Sequence, residues 1–240
     1  MVKFFESSYS YDYSFPAVTF AYFLRYPNPH STHVLSTDVI SRTVCPETGR
    51  LRTLRIHRKS TRLPSAVLKL LPKSVLGNVR SDRSESYILE TSEVDIKEGW
   101  MKTESRNLDW TGILSVVERQ DFHRAAQKEV REEEFIQGSG MTGVKTQVMF
   151  RSRLGDRLRA MRKGEESEEE KKGWLANWST KGVQRSIEAI ASRKTENQLG
   201  KSKEGMMVVL ERMRNGGLVG VLDGMRRDRE LMFAGMEQKF

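Results

Sequence analysis

Apolar and polar residues alternate along much of the chain between residues 2 and 151, which is the pattern of half-buried β-strands. Turn-forming residues separate these stretches, among them Glu47-Thr48-Gly49 and Gly99. The second and third stretches flank the Glu47 turn, so they are predicted to form a hairpin. The seven predicted strands are residues 2–11, 33–44, 50–60, 87–94, 100–108, 113–122 and 144–151.

Two segments instead carry apolar residues at helical spacing. Residues 14–25 start with a serine suited to capping, have Pro16 just inside, and must end at Tyr26-Pro27-Asn28-Pro29, because proline interrupts helices. A long helix is predicted over residues 175–214. This order of elements predicts an α+β fold, with a curved antiparallel sheet of about seven strands wrapped around the long C-terminal helix.

Three further kinds of segment interrupt or extend this pattern. Residues 63–71 are too short for a core helix and unusually apolar for a loop, with apolar side chains and a proline at Leu63, Pro64, Val67, Leu68, Leu70 and Leu71. Residues 124–134 and 153–173 are highly charged and are interpreted as insertions. We therefore expect one domain over residues 1–213, followed by a tail, residues 214–240, that forms a short amphipathic helix or is disordered.

The chain carries a formal net charge of +9, which is compatible with a nucleic-acid partner, an anionic membrane surface or no specific partner. The positive charge is spread along the sequence and interrupted by the acidic run between Glu165 and Glu170, which argues against a nucleic-acid face. No apolar run approaches the roughly 20 residues that span a bilayer. The single Cys45 cannot form an internal disulfide, and the N-terminus does not resemble a cleaved targeting sequence.

Motifs of enzymes and metal sites are weak here. Gly138-Ser-Gly-Met-Thr-Gly143 matches a dinucleotide-binding pattern, but a strand rather than a helix is predicted after it, so a loop is favoured. No metal-ligand spacing and no nucleophile context accompanies the histidines, which are His30, His33, His57 and His123. We therefore expect no cofactor, no metal and no enzymatic activity.

One constellation of cations is more informative. Alternation places Arg55, His57 and Lys59 on one face of a strand. The predicted C-terminal helix has an apolar stripe that Lys194, Gln198 and Lys201 interrupt. The residues alone favour lysines that extend to solvent along the helix edge. The alternative is an internal pocket lined by cations, which would bind a phosphate group attached to an apolar molecule.

Several short motifs, in this order and spacing, resemble the PRELI-like family. The resemblance covers most of residues 1–122 and 144–213. The motifs are Arg25-Tyr-Pro-Asn-Pro29, His33-Val-Leu-Ser36, Ile40-Ser-Arg42, Gly49-Arg-Leu-Arg-Thr53, Lys59-Ser60, Leu63-Pro64, Met101-Lys-Thr103, Arg106-Asn-Leu108, Lys201-Ser202 and Gly205-Met206.

The resemblance implies a concave sheet, a short lid and a long helix that enclose a lipid cavity. It implies a protein of the mitochondrial intermembrane space that binds a small helical-hairpin partner with twin disulfides. It also implies reversible, peripheral contact with anionic mitochondrial membranes and transfer of phosphatidic acid from outer to inner membrane, towards cardiolipin synthesis. The run Asn107-Leu-Asp109, with Thr111-Gly-Ile113, is closer to this branch than to the sister branch that transfers phosphatidylserine.

The resemblance also implies a binding site for the lipid head group, at the positions of this sequence that match the family's head-group residues. Gln198 departs from the branch, which has Asn there. Residues 63–71 correspond to the lid. Transfer of phosphatidylserine, or an enzyme acting on a phospholipid, remain the alternatives, and no nucleic acid is expected. The expected head-group residues are Arg25, His33, Arg55, Lys59, Lys194, Gln198 and Lys201.

Overall fold

The computed structural model describes residues 2–62, 83–109, 111, 114–125, 140–152 and 180–237, with the side chains of its C-terminal helix described over residues 197–234. The predicted lid, residues 63–71, and the insertion at 153–173 lie outside these ranges. Of the insertion predicted at 124–134, Arg124 ends a strand, Ala125 follows it, and the rest lies outside.

Seven strands form one antiparallel sheet in the described ranges, in the order β1-β7-β6-β5-β4-β3-β2. The sheet is curved, and a long C-terminal helix packs on the same face as a short N-terminal helix, so the predicted α+β fold is confirmed. The strands are β1 (Val2–Tyr11), β2 (Val34–Val44), β3 (Leu51–Arg62), β4 (Arg83–Asp95), β5 (Trp100–Asn107), β6 (Leu114–Arg124) and β7 (Thr142–Ser152).

Helix α1 (Phe15–Phe23) begins as predicted. The Ser14 hydroxyl accepts a hydrogen bond from the Ala17 amide at 3.4 Å, and Pro16 occupies the first turn, where no amide donor is needed. The helix ends two residues before its predicted end at Arg25, since Pro27 disfavours helical backbone in the residue before it. A single 3₁₀ turn (Pro29–Ser31) follows.

The core lies where both helices meet one end of the sheet. Tyr22 of α1 packs edge-to-face on Phe122 of β6 with ring centroids 5.5 Å apart. Helix α2 (Thr180–Glu237) buries Met206, Val209, Leu210 and Met213 in the same cluster. The register places one sheet residue from each of six strands in a single apolar layer beneath them: Leu51, Val94, Met101, Phe122, Val144 and Tyr9.

Helix α2 is interrupted at Gly217, whose φ of 60° and ψ of −154° are not helical. The following segment, residues 218–237, folds back on the first, and both Asp228 carboxylate oxygens accept hydrogen bonds from Arg212 at 2.6 and 3.1 Å. A Cβ at Gly220 would lie 3.0 Å from the Arg212 carbonyl oxygen, so the two segments are in close contact. Of the two alternatives for the tail, the structure has helix, through Glu237.

The break at Gly217 gives a first prediction. Its backbone conformation is essentially restricted to glycine, so Gly217→Ala should lower the free energy of unfolding by about 1–3 kcal/mol in urea titrations. The matched control is Gly216→Ala, since Gly216 has ordinary helical backbone and open space for a Cβ. The control should leave stability unchanged or raise it slightly. Equal losses in both variants would contradict this account of the turn.

Candidate functional site

A buried carboxylate forms the centre of the concave face. Glu90 of β4 is 1% exposed and receives a hydrogen bond from Arg25 and, at 2.9 Å, one from Arg55 Nε. His57 Nε2 lies 3.3 Å from the second carboxylate oxygen. We call these four residues, Arg25, Arg55, His57 and Glu90, the buried ion cluster. It brings together residues from the end of α1 and from two adjacent strands.

Each arginine also donates one hydrogen bond to a backbone carbonyl of α1. The Tyr22 carbonyl accepts from Arg25 Nη1 at 2.9 Å, and the Phe23 carbonyl accepts from Arg55 Nη1 at 3.1 Å. The guanidinium carbon of Arg25 also lies 3.7 Å from the centroid of the Tyr22 ring, a cation–π contact. Both arginines are therefore held at the C-terminal end of α1, with fixed orientation.

The charges in this cluster do not cancel. Burial alone would raise the pKa of Glu90, but Arg25, a hydrogen bond from His57 and the charge of Arg55 hold it well below its usual range. Burial lowers the pKa of His57, despite the neighbouring carboxylate, so the ring is neutral at physiological pH. Two guanidinium groups and one carboxylate leave one net positive charge buried at the base of the concave face.

A second group of polar residues lies where the end of β3 approaches α2. His33 precedes β2 and lies beside Lys59, since Val34 pairs with Lys59 across the hairpin. Gln198 Nε2 lies 3.4 Å from His33 Nε2. Lys59 is half-buried, and Gln198 and Lys201 are exposed. We call His33, Lys59, Gln198 and Lys201 the entrance cluster; it has two cations and no carboxylate among its members.

Both lysines of the entrance cluster affect the pKa of the His33 imidazole. Burial, followed by repulsion from Lys59 and Lys201, lowers the pKa of His33 to about 4. The folded state therefore binds fewer protons than the unfolded state between about pH 4 and the ordinary histidine pKa near 6.5. The contribution of neutral His33 to stability is complete above that range and is lost as the pH falls through it.

A titration tests this environment. We expect the His33 ring, followed by NMR, to protonate near pH 4 in the folded protein. Lys201→Gln should raise that pKa, because it removes one of the two repelling charges. His33→Gln should flatten part of the decline in unfolding free energy between about pH 6.5 and pH 4. A His33 ring that titrates near 6.5, and that Lys201→Gln does not affect, would contradict the arrangement.

Glu118 of β6 adds a second carboxylate to the concave face. It lies in the same cross-sheet layer as Arg55 and Glu90, with Ser105 of β5 between Glu90 and Glu118. Gln120 Nε2 donates to it at 3.0 Å. Burial raises the pKa of this half-buried carboxyl, and the charges of Lys59 and Arg25 only partly oppose the shift. Glu118 therefore takes up a proton at a higher pH than an ordinary glutamate side chain does.

The structure divides the seven residues predicted from sequence into two groups. Arg25 and Arg55 belong to the buried ion cluster, whereas His33, Lys59, Gln198 and Lys201 form the entrance cluster. Lys194 lies in α2, and its side chain is outside the described residues. Sequence reasoning missed Glu90 and Glu118. The signal was available, because alternation places Glu90 with Ile88 and Val94, and Glu118 with Val116 and Phe122, on the core-facing side of their strands.

Burial decreases along the concave face from the core towards the entrance cluster. Val94 and Phe122 are each 2% exposed, whereas the residues that share their face at the other end of the strands are only half-buried. The half-buried apolar residues of this region are Phe5, Ile88, Leu114, Val116 and Phe150. An apolar wall incompletely covered by described residues therefore lies next to the two lysines of the entrance cluster.

Within the described ranges, no group of three or more His, Cys, Asp and Glu side chains is placed to hold a metal ion. No helix in the same ranges combines the length and apolar character needed to cross a bilayer.

Comparison with known proteins identifies the family. The model of the PRELI-like family matches residues 16–159, well over half of the chain. The chain belongs to the PRELI-like family. A relative in Saccharomyces cerevisiae, Protein UPS1, mitochondrial, is 37% identical over 169 residues, which cover 68% of this chain and 91% of that protein. The resemblance seen in the short motifs is thereby confirmed.

Other PRELI-like relatives match a smaller part of this chain. PRELI domain-containing protein 1, mitochondrial, of Homo sapiens is 34% identical over 119 residues, covering 50% of this chain and 51% of its own length. Among solved structures, the Zhui aromatase/cyclase of Streptomyces sp. R1128 aligns with a TM-score of 0.45 at 8% identity, over 91% of this chain and 99% of that one. This structural likeness is too distant to bear on function.

Proposed function

We propose that this PRELI-like chain is a lipid-transfer protein that carries one phosphatidic acid molecule between the mitochondrial membranes. In this proposal the acyl chains lie along the half-buried apolar wall, and the phosphate lies at the entrance cluster. One observation carries it: Lys59 and Lys201 place two positive charges beside His33, at the edge of a concave apolar surface. Membership of the family and the mitochondrial names of its relatives support it.

The charges on the concave face favour a phosphate with few substituents. Lysine ammonium groups are point charges that attract a phosphate dianion strongly, and a buried phosphate must replace its lost hydration with such partners. Arg25 and Arg55 contribute the net positive charge of the buried ion cluster, at the base of the concave face. Both arginines contact Glu90 rather than open space. We therefore propose that they attract the phosphate electrostatically from a distance and do not donate hydrogen bonds to it directly.

The remaining expectations belong to the same proposal. We place transfer in the intermembrane space, from outer to inner membrane in support of cardiolipin synthesis, with the helical-hairpin twin-disulfide protein as partner. Lys194 is assigned to the head-group site with the six described residues, and residues 63–71 are assigned as the lid. No bond in the lipid is broken in this proposal. Reversible transfer requires only that the lipid be about as stable in the protein as in either membrane.

A transfer assay between two vesicle populations tests this function. Donor vesicles would contain fluorescent phosphatidic acid or, in a parallel experiment, phosphatidylserine, and the protein would be added with its helical-hairpin partner. Faster transfer of phosphatidic acid is expected. Preference for phosphatidylserine would assign the chain to the sister branch, and chemical conversion of the lipid without acceptor vesicles would indicate an enzyme.

A further inference from the structure

The fold-back segment of α2, residues 218–237, leaves one helix face uncovered. Another face of this segment packs on the rest of the protein through Val221, Gly224, Met225 and Met232, and Asp228 binds Arg212. The uncovered face carries large apolar side chains. Val219 is 69% exposed, Phe233 54%, Leu222 50% and Leu218 45%.

Helical geometry places these four side chains together. At about 100° of rotation per residue, they fall within one arc of about 100° on the helix surface. Arg226 and Arg229 fall inside the same arc, and both are exposed. The described side chains within it are therefore four apolar residues and two cations, with no acid. The nearest acids among the described side chains, Asp223 and Glu230, lie just outside it, and Glu230 contacts Arg226 at 3.4 Å.

We propose that this face is a docking surface for an anionic lipid bilayer. Apolar side chains on such a helix enter the boundary between head groups and acyl chains, while arginines on the same face extend their long side chains to the phosphates. The face would lie in the plane of the membrane surface. The surface is absent from the part of the chain that the family model matches, which ends at residue 159.

The arginines favour a membrane over a second copy of the chain. A twofold contact between two such faces would bring Arg226 and Arg229 of one copy towards those of the other, which is unfavourable. A bilayer containing anionic lipids instead supplies negative groups at the depth that these side chains reach. This inference deepens the proposed function and rests on it in one respect: a lipid carrier must contact the membranes that it serves.

Vesicle sedimentation with the whole 240-residue chain tests the docking surface. The vesicles would be phosphatidylcholine alone, or phosphatidylcholine with phosphatidylglycerol as the anionic lipid. The double variant Leu222→Glu/Phe233→Glu should bind the anionic vesicles at least about tenfold more weakly than the wild type, because two side chains that enter the membrane in this proposal become charged. Arg226→Gln/Arg229→Gln should lose most of the difference between anionic and neutral vesicles.

The chain offers a matched control in Leu231. It is 72% exposed, yet it lies about 180° from Leu222 around the helix. Leu231→Glu should bind within about twofold of the wild type. Circular dichroism would verify that each variant is folded. Unchanged vesicle binding by the double variant, or an equal loss in Leu231→Glu, would overturn the proposal.

Two further readouts separate this inference from its alternatives. If sedimentation velocity shows that the double variant loses self-association while its vesicle binding is unchanged, the face is a contact between copies and the proposal fails. Phosphatidic acid carried by the protein in free solution would be measured by native mass spectrometry. If the protein binds vesicles through this face but carries no phosphatidic acid in solution, the docking surface stands and the lipid-transfer function is refuted. If it carries phosphatidic acid but does not bind vesicles through this face, the lipid-transfer function stands and the docking surface is refuted.

Discussion

Glu90→Ala should lower the free energy of unfolding by about 3–5 kcal/mol, because it leaves Arg25 and Arg55 buried without their carboxylate. Both guanidinium groups lose their anionic partner in a region that excludes water, and neither can be neutralised by deprotonation. The loss would consume a large part of the 5–15 kcal/mol that typically stabilises a domain. Urea unfolding followed by circular dichroism measures it.

The same strand provides a control for this variant. Glu93 faces the opposite side of β4, where its carboxylate lies 3.2 Å from Arg52 and 3.9 Å from Arg50, and it is 30% exposed. Glu93→Ala should cost about 0–1 kcal/mol, as is usual for ion pairs near solvent. If Glu90→Ala were no more destabilising than Glu93→Ala, the buried ion cluster would not have the structural role assigned to it.

Lys59→Glu should reduce transfer of phosphatidic acid by about 10- to 100-fold, while the protein stays folded. A charge-assisted hydrogen bond to a phosphate contributes about 1.5–3 kcal/mol, and the new carboxylate would add repulsion. Lys59 is half-buried at the end of β3 and makes no ion pair among the described residues, so its replacement spares the buried ion cluster. Initial rates of transfer between vesicles are the measurement.

Lys102→Glu is the matched control for the loss of charge. Lys102 is exposed on the convex side of β5, where its ammonium nitrogen lies 5.4 Å from the centroid of the Trp100 ring rather than near the entrance cluster. The same change in net charge should leave the transfer rate within about twofold of the wild type. Equal reductions in both variants would indicate a general effect of charge on membrane association, not a head-group site.

Much of this fold could be predicted because most of its strands are buried on one face only. Alternation of apolar and polar residues then marks these strands, although β2 is exposed on both faces from Asp38 to Val44. The predicted ranges differ from the observed ones by a few residues at most ends. β4 is the largest difference, since it begins at Arg83 rather than at 87. Its first residues are polar on both faces, so no alternation of apolar side chains identifies them.

The C-terminal fold-back was harder to predict. Gly216 and Gly217 interrupt an otherwise helical pattern. Glycine has a low helix propensity wherever it occurs, so its presence does not show whether the helix continues or the chain turns back. The return of the second segment depends on close contact at Gly220 and on the ion pair between Arg212 and Asp228, which are 16 residues apart in sequence. Such a tertiary contact leaves no periodic signal.

The sequence indicated which cations share a face, but it revealed neither the carboxylates beside them nor their pairing. Alternation placed Arg55, His57 and Lys59 on one face, but it could not show which of them has an acidic partner. The structure shows that Glu90 neutralises part of this charge, while Lys59 remains beside His33. Pairing across strands depends on the register between β3 and β4, which places Arg55 opposite Glu90; residues 63–82 between these strands lie outside the described ranges.

The position of the phosphate in a lipid-bound structure tests the central claim most directly. A crystal structure of the protein with phosphatidic acid should place a phosphate oxygen within hydrogen-bond distance of the Lys59 and Lys201 ammonium groups, with acyl chains along Ile88 and Val116. The account would be contradicted by a lipid bound on the convex side of the sheet. It would equally be contradicted by a phosphate distant from both lysines.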